Sequence, residues 1–172
     1  MTILPDVLRP GLGIVFCGTQ AGRVSALRRA YYAGPGNKFW KTLHAVELIP
    51  RELAPGEFEE LPNFGLGLTD VAKLTSGPDT ALARSHFGVD EFLSKMRCFA
   101  PAFIAFNGKR AAQAALGVSG PLLSYGLQPV GLGGSAVYVL PSTSGAASGF
   151  WSIEPWRELA AAWRTKREQA HL

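Results

Sequence analysis

A chain of 172 residues, 47% hydrophobic and 17% charged, is long enough and apolar enough to fold around its own core, which argues against a disordered or fibrous protein. No apolar run reaches the length of a membrane span, so no membrane partner is expected. The net charge of +4 is compatible with a polyanionic partner but does not by itself indicate one, because the basic residues are spread along the chain.

The cysteines and histidines predict a protein without a metal or cofactor. Cys17 falls in an apolar segment and Cys98 on a predicted helix, so both are expected to be small buried side chains in a reducing cytosol. The three histidines show no metal-ligand spacing. With no signal peptide evident and no interdomain linker, we expect a single cytoplasmic domain over residues 1–172, monomeric, and nucleoid-associated in a bacterium.

Four short apolar strands are predicted to alternate with four helices. In chain order they are strand 13–17, helix 37–48, strand 66–72, helix 89–100, strand 102–107, helix 109–117, strand 136–140 and helix 154–169. Asn37 is placed as an N-cap, Pro155 at the first helical position, and Gly117 as a C-cap. Three of the strands are continuous apolar runs, as in parallel strands that are buried on both faces. The alternation therefore predicts an α/β sandwich around a mostly parallel sheet.

Small polar side chains occur at the carboxyl end of every predicted strand. They are Thr19 and Gln20 after the first strand, Thr69 and Asp70 at the second, Asn107 and Lys109 after the third, and the segment PSTSGAASG, 141–149, after the fourth. Ligands bind at this edge of parallel α/β sheets. Since no Ser–His–Asp set and no phosphate-loop fingerprint is present, the pattern favours a pocket for a flat, neutral, hydrogen-bonding ligand.

Six segments carry a resemblance to a known family. They are FCGTQAG (16–22), YYAGPGNKFWKTL (31–43), GLGLTDVAK (65–73), FNGK (106–109), YGLQP (125–129) and LPSTSG (140–145). Their order and spacing resemble the thymine-DNA glycosylase and mismatch-specific uracil-DNA glycosylase branch of the uracil-DNA glycosylase superfamily. The resemblance implies a three-layer α/β/α sandwich around a four-stranded, mostly parallel sheet. It also implies hydrolysis of the N-glycosidic bond of a damaged or mispaired pyrimidine that is flipped out of DNA.

The resemblance places two residues near the reacting water. The family's first motif reads GINPG and its asparagine holds the water, whereas this chain reads GTQAG, with Gln20 one methylene longer. Asp70 stands where thymine-DNA glycosylase has a pocket asparagine. Because a carboxylate can act as a general base, we expect Asp70 to activate the water, alone or together with Gln20. For Gln20 the alternatives are a contact with the base instead of the water, a loss of activity, or a turn glutamine that bonds its own backbone. For Asp70 the alternative is an aspartate that caps the turn or helix after the second strand.

The resemblance also assigns the base-binding side chains. Tyr32 matches the aromatic residue that stacks on the flipped base, and Asn107 matches a pocket residue whose amide can pair with a uracil edge. Thr19, in the turn after the first strand, is expected to contribute to the same pocket. The alternative for Asn107 is a cap on the helix that follows it.

DNA contacts are expected from the segment after the fourth strand. Ser142, Thr143, Ser144 and Gly145 match the loop that grips the phosphates beside the flipped nucleotide, and Lys109 either contacts a phosphate or is solvated. The wedge that fills the gap left by the base is leucine or arginine in the family, but Ala146 here. Phe150 and Trp151 are alternative wedges, although both can instead be core or interface aromatics.

The sequence therefore predicts a monofunctional DNA glycosylase of base excision repair that removes uracil from single- or double-stranded DNA. One alternative is a non-catalytic protein that binds uracil or abasic DNA. Another is a glycosylase for a different deaminated base, such as hypoxanthine. A small-molecule nucleoside hydrolase is disfavoured, because the phosphate-gripping serine loop would then have little to hold.

Overall fold

A five-stranded sheet forms the centre of the protein in the computed structural model, which describes residues 2–78 and 88–171. The strands are β1 (Ile14–Gly18), β2 (Leu66–Asp70), β3 (Phe103–Asn107), β4 (Gly126–Leu127) and β5 (Ala136–Leu140). Their order across the sheet is β2-β1-β3-β5-β4. All neighbouring pairs are parallel except β4 with β5, which is antiparallel.

Helices cover both faces of this sheet. They are α1 (Arg23–Arg28), α2 (Phe39–Ala45), α3 (Val89–Phe99), α4 (Lys109–Leu116) and α5 (Glu154–Ala170). Two longer segments of 3-10 helix, Pro55–Phe64 and Gly145–Phe150, lie between them. Within the described ranges, none of these helices is both long and apolar enough to cross a membrane.

The strands alternate their side chains between two separate hydrophobic cores. In β1, Ile14 and Phe16 enter the core that also contains Trp40 of α2 and Trp156 of α5. Val15 and Cys17 enter the other core, formed with α3 and α4. Continuous apolar strands thus arise because both sheet faces are covered, which confirms the predicted three-layer α/β/α sandwich.

The predicted number of strands was wrong by one. The fifth strand, β4, has only the two residues Gly126 and Leu127, which pair with Val139 and Tyr138 of β5. A strand of two residues is too short to show a periodic pattern of hydrophobic residues, and the glycine within it indicates a turn rather than a strand. The four longer strands lie within one or two residues of their predicted bounds.

The sequence predicted the four longer helices but not α1, and the ends of the predicted helices are less accurate than their interiors. The cap position of α2 is Lys38 rather than Asn37, although the Asn37 side chain still accepts a hydrogen bond of 3.0 Å from the Phe39 amide. Pro155 occupies the second position of α5 rather than the first, and Gly117 is the left-handed C-cap of α4 as predicted. The prediction that both cysteines are buried fails for Cys98, which lies on the exposed side of α3.

The amino-terminal segment lies along the outer edge of β2. Val7 and Leu68 exchange two backbone hydrogen bonds of 2.9 and 3.0 Å, and the Ile3 amide donates to the carbonyl of Lys73. An uncovered sheet edge presents unpaired amides and carbonyls. The segment therefore protects this edge, and it also brings Asp6 next to the carboxyl end of β2.

Candidate active site

A cavity of about 560 Å³ lies at the carboxyl ends of β1, β2, β3 and β5. Parallel strands that end together, with different helices following them, leave such a crevice at their carboxyl edge. The walls come from the turns after β1 and β3, the loop around Tyr32, the end of β2 and the segment after β5. Among the lining residues are Thr19, Gln20, Tyr32, Asp70, Asn107, Lys109, Ser142, Thr143, Ser144, Gly145 and Ala146. The structure thus brings together the residues that the resemblance assigned to water, base and phosphate, whereas Thr69 does not line the cavity and instead donates to Asp6.

Asp70 and Tyr32 converge over the last residue of β1. Gly18 pairs with Asp70 across the sheet, so the two residues are side by side. A Cβ atom on Gly18 would lie 2.7 Å from Asp70 Oδ1 and 3.1 Å from the Tyr32 hydroxyl oxygen. Only glycine at this position leaves room for both groups. The buried Asp70 carboxylate, 5% exposed, is therefore held in the wall of the cavity beside the Tyr32 hydroxyl.

Tyr32 is held in an unusual backbone conformation. Its φ of 53° lies in the left-handed region, which costs a non-glycine residue about 1–3 kcal/mol. One face of its ring stacks on Phe39, with centroids 4.1 Å apart and planes 28° apart. Because that face is covered and Tyr32 also lines the cavity, a planar ligand can stack only on the opposite face.

The side chain of Gln20 is bound to the segment that follows β2. Its Oε1 accepts a hydrogen bond of 2.6 Å from the Thr75 hydroxyl. Its Nε2 donates to the carbonyls of Gly77 and Pro78, both at 3.0 Å. The Gly77 amide in turn donates to the carbonyl of Ala21. Gln20 therefore does not bond its own backbone; it fixes residues 75–78 against the turn after β1, and one lone pair of Oε1 remains for a further donor.

Asn107 joins the end of β3 to the loop after β5. Its Nδ2 donates to the Thr143 hydroxyl at 2.9 Å, and its Oδ1 accepts from the Thr143 amide at 3.0 Å. The cap position of α4 is Gly108, with no side-chain cap, so Asn107 does not cap that helix. One amide hydrogen and one lone pair of Asn107 remain for a ligand at the cavity wall.

The loop after β5 is closely packed on its neighbours. Ser142 lies against Gly108, where a Cβ atom would come within 3.3 Å of the serine Cβ. Thr143 is 1% exposed, whereas Ser144 is half-buried and caps the 3-10 helix Gly145–Phe150 by accepting from the Ala146 amide. Ser142 and Ser144 are therefore more accessible than Thr143 in the part of this loop that lines the cavity.

The two alternative wedge aromatics occupy different environments. Phe150 is 75% exposed at the end of the 3-10 helix that begins at the cavity rim. Trp151 packs against Trp156, with ring centroids 6.2 Å apart, and carries Lys38 over its ring at 5.6 Å. Trp151 is therefore anchored to the core, and Phe150 is the aromatic of the pair that projects into solvent.

Positive charge lies on the cavity rim and negative charge at its base. Arg23, Lys109 and Arg110 line the rim, with the Lys109 ammonium 4.6 Å above the ring of Tyr125. Asp70 is the acidic residue among the lining side chains of the described chain. No group of three or more side chains suited to a metal ion occurs within residues 2–78 and 88–171. This distribution suits a ligand with anionic groups outside and a neutral head inside.

Two titratable groups next to Asp70 remain protonated at neutral pH. Burial, and then the negative charges of Asp70 and Asp6, raise the pKa of the Tyr31 hydroxyl well above its ordinary value. Burial and the charge of Asp70 likewise raise the pKa of the Cys17 thiol. Cys17 is therefore not a nucleophile, and Tyr31 acts as a neutral hydrogen-bonding wall residue.

The sequence did not indicate Gly18 as a site residue, and for Tyr31, the neighbour of Tyr32, it predicted either packing or a place at the rim of the site. A signal for Gly18 was available, since a glycine at the end of a buried strand often marks a close approach of other groups. Tyr31 is 2% exposed and lines the cavity, so it both packs and contributes to the wall.

A second cavity, of about 660 Å³, lies near the opposite ends of the strands. Its wall includes Gly65, which precedes β2, and Trp163 of α5, which packs over Gly13 before β1. The polar side chains there are exposed and of mixed charge, among them His44, Glu47 and Arg167. The cavity at the carboxyl ends of the strands is therefore the better candidate for the active site.

Comparison with known proteins identifies the family. A sequence model of the uracil DNA glycosylase superfamily matches residues 5–164. The fold resembles the solution NMR structure of a candidate uracil DNA glycosylase from Methanosarcina acetivorans, with a TM-score of 0.64. That match has 24% sequence identity and covers 94% of this chain and 95% of the other. The chain therefore belongs to the uracil DNA glycosylase superfamily.

Proposed function

We propose that this protein is a monofunctional DNA glycosylase that hydrolyses the N-glycosidic bond of uracil in DNA, and that it belongs to the thymine-DNA glycosylase and mismatch-specific branch. Its superfamily supports a glycosylase role on DNA. The observation that carries the proposal is the buried Asp70 carboxylate beside Tyr32 in a cavity with a basic rim. The six segments FCGTQAG, YYAGPGNKFWKTL, GLGLTDVAK, FNGK, YGLQP and LPSTSG support the branch.

In the proposed reaction, uracil leaves the base stack and enters the cavity. Its ring stacks on the face of Tyr32 opposite Phe39. The bond between the sugar carbon C1′ and uracil N1 breaks, and its electron pair leaves with the base. A water molecule attacks C1′ and gives its proton to Asp70 as general base. The uracil anion then takes up a proton from solvent and Asp70 releases its proton to solvent, so the products are the free base and an abasic site.

Asp70 is the principal group for the water in this proposal, and Gln20 only helps to orient that water. Both amide hydrogens of Gln20 are used by Gly77 and Pro78, so the side chain can only accept a bond from water, through Oε1. An amide oxygen cannot take up the proton at neutral pH, whereas a carboxylate can.

The base edge is bound by polar groups at the ends of β1 and β3. Asn107 offers its remaining amide hydrogen to a uracil carbonyl and its remaining lone pair to the N3–H of the same base. Thr19, 5% exposed, lines the same wall. Preorganised donors here stabilise the negative charge that develops on the departing base.

The DNA backbone lies over the rim. Ser142, Ser144 and the amide of Gly145 contact the phosphates beside the flipped nucleotide, and Lys109 adds a cation. Ala146 stands at the wedge position on the exposed rim and is too small to fill a base-pair gap. Phe150 takes the wedge role in this proposal, since it is the exposed aromatic of the same loop.

Cleavage assays on end-labelled oligonucleotides test the proposal. Each carries one uracil, either single-stranded or opposite guanine or adenine, and alkali converts an abasic site into strand scission. Wild-type protein is expected to cause scission, with a rate reduced about 100-fold or more in Asp70→Asn, because a missing general base costs about 10²–10⁴. Gln20→Ala should lose less. Thermal unfolding checks that both variants are folded, and gel shifts check that both bind DNA.

The same assay separates the alternatives. A uracil-specific gel shift without scission by the wild type would overturn the enzyme assignment for uracil and leave a binding protein. Scission of hypoxanthine-containing but not uracil-containing strands would move the substrate to another deaminated base.

A further inference from the structure

A group of one buried and two half-buried charges lies behind the wall of the cavity, outside the groups used in the reaction above. It consists of Asp6, Lys73 and Lys95, which we call the Asp6 cluster. Their side chains are 20%, 7% and 23% exposed. A lysine as buried as Lys73 is destabilising unless its charge is paired and its hydrogens are bound. The partners of Lys73 therefore determine what this charge does.

Asp6 is bound on both carboxylate oxygens. Its Oδ1 accepts from Lys73 Nζ at 2.9 Å and from the Thr69 hydroxyl at 2.7 Å. Its Oδ2 accepts from Lys95 Nζ at 2.7 Å. Burial on its own raises the pKa of Asp6, but Lys73, Lys95 and Thr69 together hold it below its ordinary value. Asp6 is therefore ionised at neutral pH and fixed by three donors.

Lys73 connects this cluster to the cavity. Its ammonium donates to the Tyr31 hydroxyl at 3.1 Å, and that hydroxyl donates to the Pro5 carbonyl at 2.9 Å. Tyr31 lines the cavity and precedes Tyr32, the residue held in the left-handed conformation. The other end of the cluster binds Thr69, the residue before Asp70. Asp6 and Lys73 thus contact the immediate neighbours of both Tyr32 and Asp70.

Lys95 differs from Lys73 in this respect. It binds the same carboxylate, but its other ion-pair partner is the exposed Glu91, one turn earlier on α3. It does not line the cavity. The two lysines share one partner, and Lys73 is the one of the two that also contacts the cavity wall.

We propose that Asp6 and Lys73 are positioning residues for the glycosylase reaction, holding the Tyr31–Tyr32 loop and the Asp70 end of β2 at the spacing that the reaction needs. This inference rests on the proposed function. A displacement of about 1 Å at a reacting group can reduce the rate about 100-fold. Asp6 holds Thr69 directly and Tyr31 through Lys73, so loss of these contacts should slow the chemical step. It also makes the amino-terminal segment part of the active site.

Single-turnover kinetics test this assignment on a single-stranded oligonucleotide with one uracil. We expect Lys73→Met to lower the rate of the chemical step about 10- to 100-fold, with little change in the dissociation constant of the oligonucleotide. Asp6→Asn should act in the same direction. Lys95→Met is the matched control, because it removes a cation from the same carboxylate, and its rate should stay within about threefold of the wild type.

Two further variants keep the test informative if Lys73→Met unfolds. Tyr31→Phe removes only the hydroxyl that Lys73 binds, and the rate should fall without a loss of folding. Lys73→Arg, which preserves the charge and the donors, should recover part of the rate lost in Lys73→Met. The assignment is overturned if the rate falls equally in Lys73→Met and Lys95→Met, or if Tyr31→Phe and Asp6→Asn both react at the wild-type rate.

A measurement without substrate separates this inference from the proposed function. Hydrogen exchange of the Thr69, Asp70 and Val71 amides should speed up in Asp6→Asn and remain unchanged in Lys95→Met. If the wild type cleaves no uracil strand, the proposed function fails, and this exchange pattern still reports whether the Asp6 cluster fixes the end of β2. If exchange is unchanged in Asp6→Asn, the positioning role fails, whatever the wild-type activity.

Discussion

At the scale of single residues, the site depends on close approaches that leave no room for a side chain. Gly18 leaves room above its Cα atom for both Asp70 Oδ1 and the Tyr32 hydroxyl, and Gly108 allows Ser142 to lie against the turn after β3. Gly108 has the further constraint of a φ of 103°, which disfavours any other residue. The chemistry proposed for Asp70 thus requires the absence of atoms at position 18 as much as the presence of the carboxylate.

Substitution of Gly18 by alanine tests this requirement. The added Cβ atom would lie 2.7 Å from Asp70 Oδ1, closer than carbon and oxygen tolerate, so the carboxylate or the Tyr32 loop must shift. We expect the single-turnover rate on a uracil oligonucleotide to fall about 100-fold. Gly34→Ala is the control, because Gly34 also lines the cavity but a Cβ atom there meets nothing within 4 Å. Equal rates in the two variants would contradict the close-approach argument.

At the scale of elements, the strands could be predicted because burial on both faces leaves a continuous apolar run. The position of the cavity could also be predicted, because polar residues at the carboxyl ends of parallel strands lie at one edge of the sheet. The roles of Gln20 and Asn107 could not be predicted this way. Each binds a segment more than 30 residues away, to Thr75 and Thr143, and no local pattern encodes such a partner.

The 3-10 helix Gly145–Phe150 carries the residue proposed as the wedge. It begins at the cavity rim and ends at the exposed Phe150, the wedge in the proposed function. A wedge matters only where a base pair must be opened. Phe150→Ala should therefore lower kcat/KM on duplex substrates about tenfold, equivalent to about 1.4 kcal/mol of lost stacking, and leave single-stranded substrates unchanged.

Leu122→Ala serves as the comparison for Phe150→Ala. Leu122 is 79% exposed but does not line the cavity, so its loss should affect neither substrate. A parallel decrease on single- and double-stranded DNA in Phe150→Ala would indicate a general binding contact instead of a wedge.

At the scale of the whole molecule, the Asp6 cluster links the stability of the fold to its site. The amino-terminal segment covers the edge of β2, and its aspartate binds side chains from β2, from the segment after it and from α3. A single carboxylate thus joins three parts of the chain. Its ionisation should therefore be visible in the free energy of unfolding as well as in the reaction.

The contribution of ionised Asp6 to stability can be measured from the pH dependence of unfolding. The pKa of Asp6 is below its ordinary value in the folded protein, so folding favours the ionised form. This contribution is fully present above the unfolded pKa of 3.8 and is lost as the pH falls through the folded value. Urea unfolding between about pH 2 and pH 7 should therefore show a smaller loss of stability on acidification in Asp6→Asn than in the wild type.

Glu57 provides the control that separates stability from positioning. Its hydrogen bond to Arg51 and to the Ala54 amide lowers its pKa to about 2, and it lies outside the cavity. Glu57→Gln should likewise reduce the acid dependence of unfolding, because it too removes a carboxylate that is ionised preferentially in the folded state. It should leave the glycosylase rate unchanged, whereas Asp6→Asn lowers it. If both variants flatten the unfolding curve and neither changes the rate, then the carboxylate of Asp6 contributes only to the fold.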